Sequence, residues 1–85
     1  MSEQELLRRR LEELHRELSQ VGEVDADLEP LLRDIRDDIE VAMARTAPQS
    51  LSDRLGEAVE RFEQNHPTLA SAMGAVADQL ARMGI

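Results

Sequence analysis

The chain has 85 residues, a formal charge of −8, no cysteine and a single aromatic residue, Phe62. That length supports one domain rather than two. The acidic balance argues against nucleic acid, anionic membranes and acidic substrates, because phosphate recognition needs a basic face, and the lack of cysteine excludes disulfides, thiol chemistry and Cys-ligated metals.

With one aromatic residue, the core has to be built from Leu, Ile, Val, Met and Ala, which fill helix–helix seams but each cover little area. The opening MSEQELLRRR lacks an apolar signal core, and the longest uncharged run, Pro67 to Ala77, is far shorter than the ~20 residues of a membrane span. A cytoplasmic protein is the resulting expectation.

Ser2 and Glu5 have capping-box spacing and predict a helix start. Leu7, Leu11, Leu14, Leu18 and Val21 then recur at alternating steps of four and three, one face of a helix. Gly22 is expected to end this first helix, placed at 1–22, as a C-terminal cap. One-turn charge pairs, Arg9 with Glu13 and Glu12 with Arg16, are expected on its outer faces.

A second helix is predicted over 27–45. Asp27 is its expected N-cap and Pro30 lies in the first turn, where a missing N–H is harmless. Leu28, Leu32, Ile35, Ile39 and Ala42 form its apolar stripe, with Arg33–Asp37 and Arg36–Glu40 one turn apart. Helices one and two are expected to form an antiparallel hairpin.

Residues 46–50 read as a linker, and Ser50 with Asp53 suggests the next capping start. Leu55, Val59, Phe62, Leu69, Met73, Val76, Leu80 and Met83 follow in heptad phase. The phase survives His66-Pro67, although Pro67 removes one intrahelical bond and disfavours helical geometry at His66. The expectation is one long helical arm over 51–83, kinked or interrupted at His66-Pro67, with a corner separating two helices there as the alternative. Unbroken from Leu51 to Arg82 it would run roughly 48 Å at ~1.5 Å per residue. A second stripe of small residues, Ala70, Gly74, Ala77 and Ala81, would let another backbone approach closely.

Two Glu-x-x-His pairs, Glu12–His15 and Glu63–His66, have the spacing that di-iron carboxylate bundles use. Their phase is unfavourable: Glu12 points away from the seam and His15 only flanks it. His66 falls on a seam position without a partner that would make it a catalytic base. Arg8-Arg9-Arg10 is offset by Glu5, Glu12 and Glu13 and reads as a solvated face. No catalytic residue, cofactor-binding residue or metal ligand is therefore assigned.

The stretch Val59-Glu60-Arg61-Phe62-Glu63, with His66-Pro67, Leu69 and the closing Met83-Gly84-Ile85, resembles a bacterial family of short helical proteins, "domain of unknown function 4404". The C-terminal third carries the specific part of that resemblance. It implies a small all-α protein with no assigned activity.

The sequence thus predicts an all-α, non-enzymatic, self-associating protein that serves as a scaffold or interaction module. Its expected association residues are Phe62, His66, Leu69, Met73, Gly74, Val76, Leu80 and Met83. The expected partners are further copies of the chain, as a dimer or higher oligomer, or another helical protein; nucleic acid and membranes are not expected. The alternative is a di-metal carboxylate protein assembled across an oligomer from Glu12, His15, Glu63 and His66.

Overall fold

The structure, a computed structural model, describes Ser2 to Gly84. Met1 of the expected first helix and Ile85 of the closing motif lie outside the described residues. The described chain is all-α: α1 (Glu3–Gln20), α2 (Glu29–Ala44), α3 (Gln49–Phe62) and α4 (Pro67–Arg82). None of these helices is long and apolar enough to cross a membrane.

Local chemistry sets the boundaries. Ser2 Oγ accepts from the Glu5 N–H at 3.1 Å and so caps α1. The expected cap at Gly22 is not used as one. Val21 leaves the helix in an extended conformation, and among the described residues the glycine at positive φ is Gly84, at 77°. Gly84 is where the left-handed cap sits: its N–H bonds the carbonyl of Ala81 at 3.2 Å, closing the end of α4. Asp27 is likewise one residue too early. Leu28 holds the N-cap position of α2 without a side-chain bond, and Pro30 lies in the first turn. α3 starts directly after Pro48, and Ser50 bonds across to α2 instead of capping its own helix.

The interruption expected at His66-Pro67 is present, and the departure lies in the course of the chain beyond it. α3 ends at Phe62, the backbone at His66 (φ −138°, ψ 66°) is not helical, and α4 restarts with Pro67. The four residues between them make a corner, and α4 packs back along α3 in the most extensive helix–helix contact of the fold. The molecule is 35 Å in its longest dimension, too short for an arm of ~48 Å. The His66 N–H bonds the Phe62 carbonyl at 2.8 Å, and the His66 carbonyl accepts from Ala70 at 2.9 Å, so both backbone groups of His66 are bonded at the entry to α4, where Pro67 has no N–H to give.

The helix contacts run α1–α2, α2–α3, α3–α4 and α4–α1, which closes a ring. Arg8 reaches Met43, Ser50 reaches Asp38, and Arg10 reaches Gln79. Each bond joins one helix's early turns to its neighbour's late turns, so adjacent helices are antiparallel. This is an up-down-up-down four-helix bundle. Its interior takes Leu7, Leu11, Leu14 and Leu18 from α1; Ile35 and Ile39 from α2; Leu51, Leu55, Ala58 and Phe62 from α3; and Leu69, Ala70, Met73, Val76 and Leu80 from α4. Each fully covered Leu, Ile, Met or Phe contributes about 1.5–3 kcal/mol relative to exposure. On α3 the inward phase runs through Ala58; Val59 sits beside it at the α3–α4 seam, half-buried.

Candidate functional site

The eight residues expected to bind another chain do not form one surface. Phe62, Leu69, Met73, Val76 and Leu80 are buried in the chain's own core. The reason is the corner: folding α4 onto α3 turns the long apolar stripe inward on both helices. A single chain therefore covers the apolar stripe that was expected to meet a second copy. Val41, 43 % exposed, is the one large apolar side chain classed as exposed among the described residues. Gly74 has a neighbour within the chain: a Cβ added there would lie 3.8 Å from Val59 Cγ2 on α3, an ordinary packing distance. Met83 is half-buried at one end of the bundle and His66 at the other. The His66 ring stacks at a 57° tilt on Phe62, with centroids 5.7 Å apart.

The two Glu-x-x-His pairs are not brought together. His15 Nε2 faces Glu40 Oε2 on α2 at 3.4 Å, and Glu12 meets Arg8 at 3.5 Å. Glu63 and His66 belong to the α3–α4 corner. Among the described residues no group of three or more His, Cys, Asp or Glu could hold a metal ion. The arginine triplet is also divided: Arg8 donates to the Met43 carbonyl at 2.8 Å, Arg10 donates to Gln79 Oε1 at 3.1 Å, and Arg9 is exposed. Of the one-turn ion pairs, Arg8–Glu12 and Glu57–Arg61 are the ones formed among the described residues. The pairs expected on α1 and α2 are not among them. Such exposed pairs are worth little, so their choice of partner follows side-chain freedom more than energy.

What the sequence reading missed is a set of polar braces between helices. Gln79, 2 % exposed, donates to the Glu3 carbonyl at 3.0 Å and accepts from Arg10. It thereby ties α4 to the first turn of α1. Asp38 accepts from Ser50 Oγ at 3.1 Å and from Arg54 Nη1 at 2.7 Å, which joins α2 to α3. One signal was present in the sequence: Gln79 lies three residues after Val76 and directly before Leu80, on the inner edge of the stripe.

The surface offers open grooves rather than an enclosed cavity. The largest described, about 550 Å³, lies at the end formed by the start of α1, the α2–α3 connection and Met83. Its floor is Leu7, Leu11, Ala42, Ala47 and Met83, and Glu5, Arg8 and Arg45 stand around it. At the opposite end Glu17, Asn65, His66 and the first turn of α4 border a groove of about 350 Å³. There one covered oxygen of Glu17 has no partner among the described residues, beside a helix N-terminus whose dipole favours negative charge.

The family model described as Domain of unknown function (DUF4404) matches residues 7–85. The chain belongs to this family. The match covers nearly the whole chain, including all of α2, α3 and α4, so the four-helix ring is the fold of a DUF4404 domain. No curated protein and no solved structure matches the chain.

Proposed function

We propose that this DUF4404 domain is a non-enzymatic, cytoplasmic interaction module, a braced helical bundle whose outer surface engages other proteins. The observation that carries this reading is the use made of the polar side chains. His15, Asp38, Arg8, Arg10, Arg54 and Gln79 each bond to another helix. They hold the bundle together, and none converges with a nucleophile or a second acid around a pocket, as chemistry would need. The rest of the surface is solvated, predominantly acidic and cut by open grooves, which suits recognition.

A second copy of the chain is one proposed partner. In support, no side-chain hydrogen bond or ion pair crosses the α3–α4 seam among the described residues. Gly74 and Ala77 on α4 are half-buried and Ala81 is exposed, so part of the small stripe stays open to a second helix. Light scattering across a wide concentration range tests this: a mass of at least twice 9.6 kDa supports the homo-oligomer, and 9.6 kDa throughout removes it and leaves other proteins as the partners. Proximity labelling in the native host tests the module itself. A reproducible set of neighbours, lost when Met73→Asp unfolds the core, is the expected result; the same neighbours for both proteins would contradict it.

A further inference from the structure

The α3–α4 corner retains much of an α-helix. Glu63 keeps helical dihedrals (φ −55°, ψ −37°). The N–H groups of Glu63, His66 and Ala70 bond the carbonyls of Val59, Phe62 and His66, each the four-residue step of an α-helix. The backbone leaves helical geometry at His66 (φ −138°, ψ 66°), where the following proline disfavours helical dihedrals. Phe62 and Leu69, both buried, lie about two helical turns apart in sequence. A rod straightened at His66 would therefore carry the inward faces of α3 and α4 on the same side. The closed corner accepts that phase. Two straightened rods lying antiparallel require it, since both halves of each rod must then face the other chain.

We infer that α4 is exchanged between two copies of this chain, with His66 as the hinge and Pro67 kinking the opened helix. This deepens the reading in which a second copy is a partner, and it names the element that the copies share. An opened chain on its own would bring Leu69, Ala70, Met73, Val76, Gln79 and Leu80 into water, so it needs a partner. The surface already shaped for that face is the cleft between α1 and α3 of another copy, because α4 packs on those two helices. There Gln79 regains the Glu3 carbonyl and Arg10, and Gly74 regains Val59. Exchange thus keeps the contacts of the bundle and alters the corner alone. Against it stand the preference that Pro67 imposes on His66 and the entropy lost when two chains join. The closed chain is the form at low concentration, and the exchanged dimer forms as concentration rises.

The test mixes ¹³C-labelled and unlabelled chains, unfolds them together in urea, refolds them and concentrates the product. Light scattering gives the mass, and isotope-filtered NOEs show which chain packs on which. The expected result is a mass of twice 9.6 kDa, with NOEs between chains from Leu55 and Phe62 on α3 to Met73 and Leu80 on α4. These side chains are all buried in the closed bundle, so a side-by-side dimer would keep their contacts within one chain. Pro67→Ala frees His66 to join the helix and lowers the concentration of half-dimerisation about tenfold or more. A short glycine insertion after Asn65 turns the hinge into a flexible loop and returns the monomer. A dimer whose α3–α4 core NOEs all stay within one chain would overturn the exchange and leave the second copy as a partner through another face. A mass of 9.6 kDa for the native chain at every concentration would overturn it together with the homo-oligomer reading. Equal dimerisation by the native chain and Pro67→Ala would show that His66 is not the hinge and would also overturn it.

Discussion

α2 and α4 are each 16 residues long, yet they sit in the bundle very differently. α4 buries Leu69, Ala70, Met73, Val76, Gln79 and Leu80, whereas α2 buries Ile35 and Ile39. The cause is visible residue by residue. Asp78 and Arg82 are the charged residues of α4, and its small residues Ala70, Gly74 and Ala77 hold no neighbour at a distance, so it can sink into the bundle. On α2, Arg33, Asp34, Arg36, Asp37 and Glu40 hold most of the surface in water. Leu28, Leu31 and Leu32 spread over too wide an arc for one neighbour to cover and are half-buried. The contrast separates structural work from contact work. The deep helix fixes the fold, and the shallow one, with its flanking connections, borders the grooves at both ends.

The sharpest way to break this contrast is to truncate a side chain on each helix. Met73→Ala, at a site with 0 % exposure, is expected to cost about 2–5 kcal/mol. Leu32→Ala, half-covered, is expected to cost about 1 kcal/mol, because less area and less cavity are at stake. Urea unfolding measures both, and equal losses would show that α2 is seated as firmly as α4.

Next in size is the brace between α4 and α1. Gln79→Ala removes the donor to the Glu3 carbonyl and the acceptor for Arg10, at about 1–3 kcal/mol. Hydrogen exchange should rise first in the opening turn of α1. A loss below a few tenths of a kcal/mol would mean that water replaces the brace fully. Smallest is Gly56→Ala. An added Cβ there meets nothing within 4 Å, and glycine in a helix interior costs about 0.5–1 kcal/mol relative to alanine. The melting midpoint should therefore rise, and a fall would show that α3 needs slack there.

The sequence exposed the individual helices better than their arrangement. Period and caps made α1 legible, with Ser2 as the acceptor expected, and Pro67 marked the right break. The return of α4 was hidden by the very regularity that suggested an arm. Phe62 and Leu69 stay in heptad phase because both point at one core, and two rods folded face to face keep that phase as well as one straight rod does. Phase reports which side is apolar; it carries no information on chain direction. The corner itself is set by local terms, a proline after His66 and the backbone break at that residue. The small stripe shows a related limit: spacing identifies a close-packing face without naming the neighbour, and at Gly74 one neighbour is Val59 of the same chain. The inward position of Gln79 was legible, but the partners of Gln79 and Asp38 were not, because they lie in other helices, nor was the end groove, because three separated segments build it.

The claim on which the rest stands is that α4 folds back on α3, so that a single chain covers its own apolar stripe. The absence of native cysteine allows it to be tested by spin labels at two exposed positions, Asp53→Cys and Asp78→Cys, with the labelled chain diluted into unlabelled protein. A bundle with interaxial distances of about 8–10 Å predicts a label separation of roughly 20 Å or less. A separation near 38 Å, the length of an unbroken helix between those positions at ~1.5 Å per residue, would contradict it.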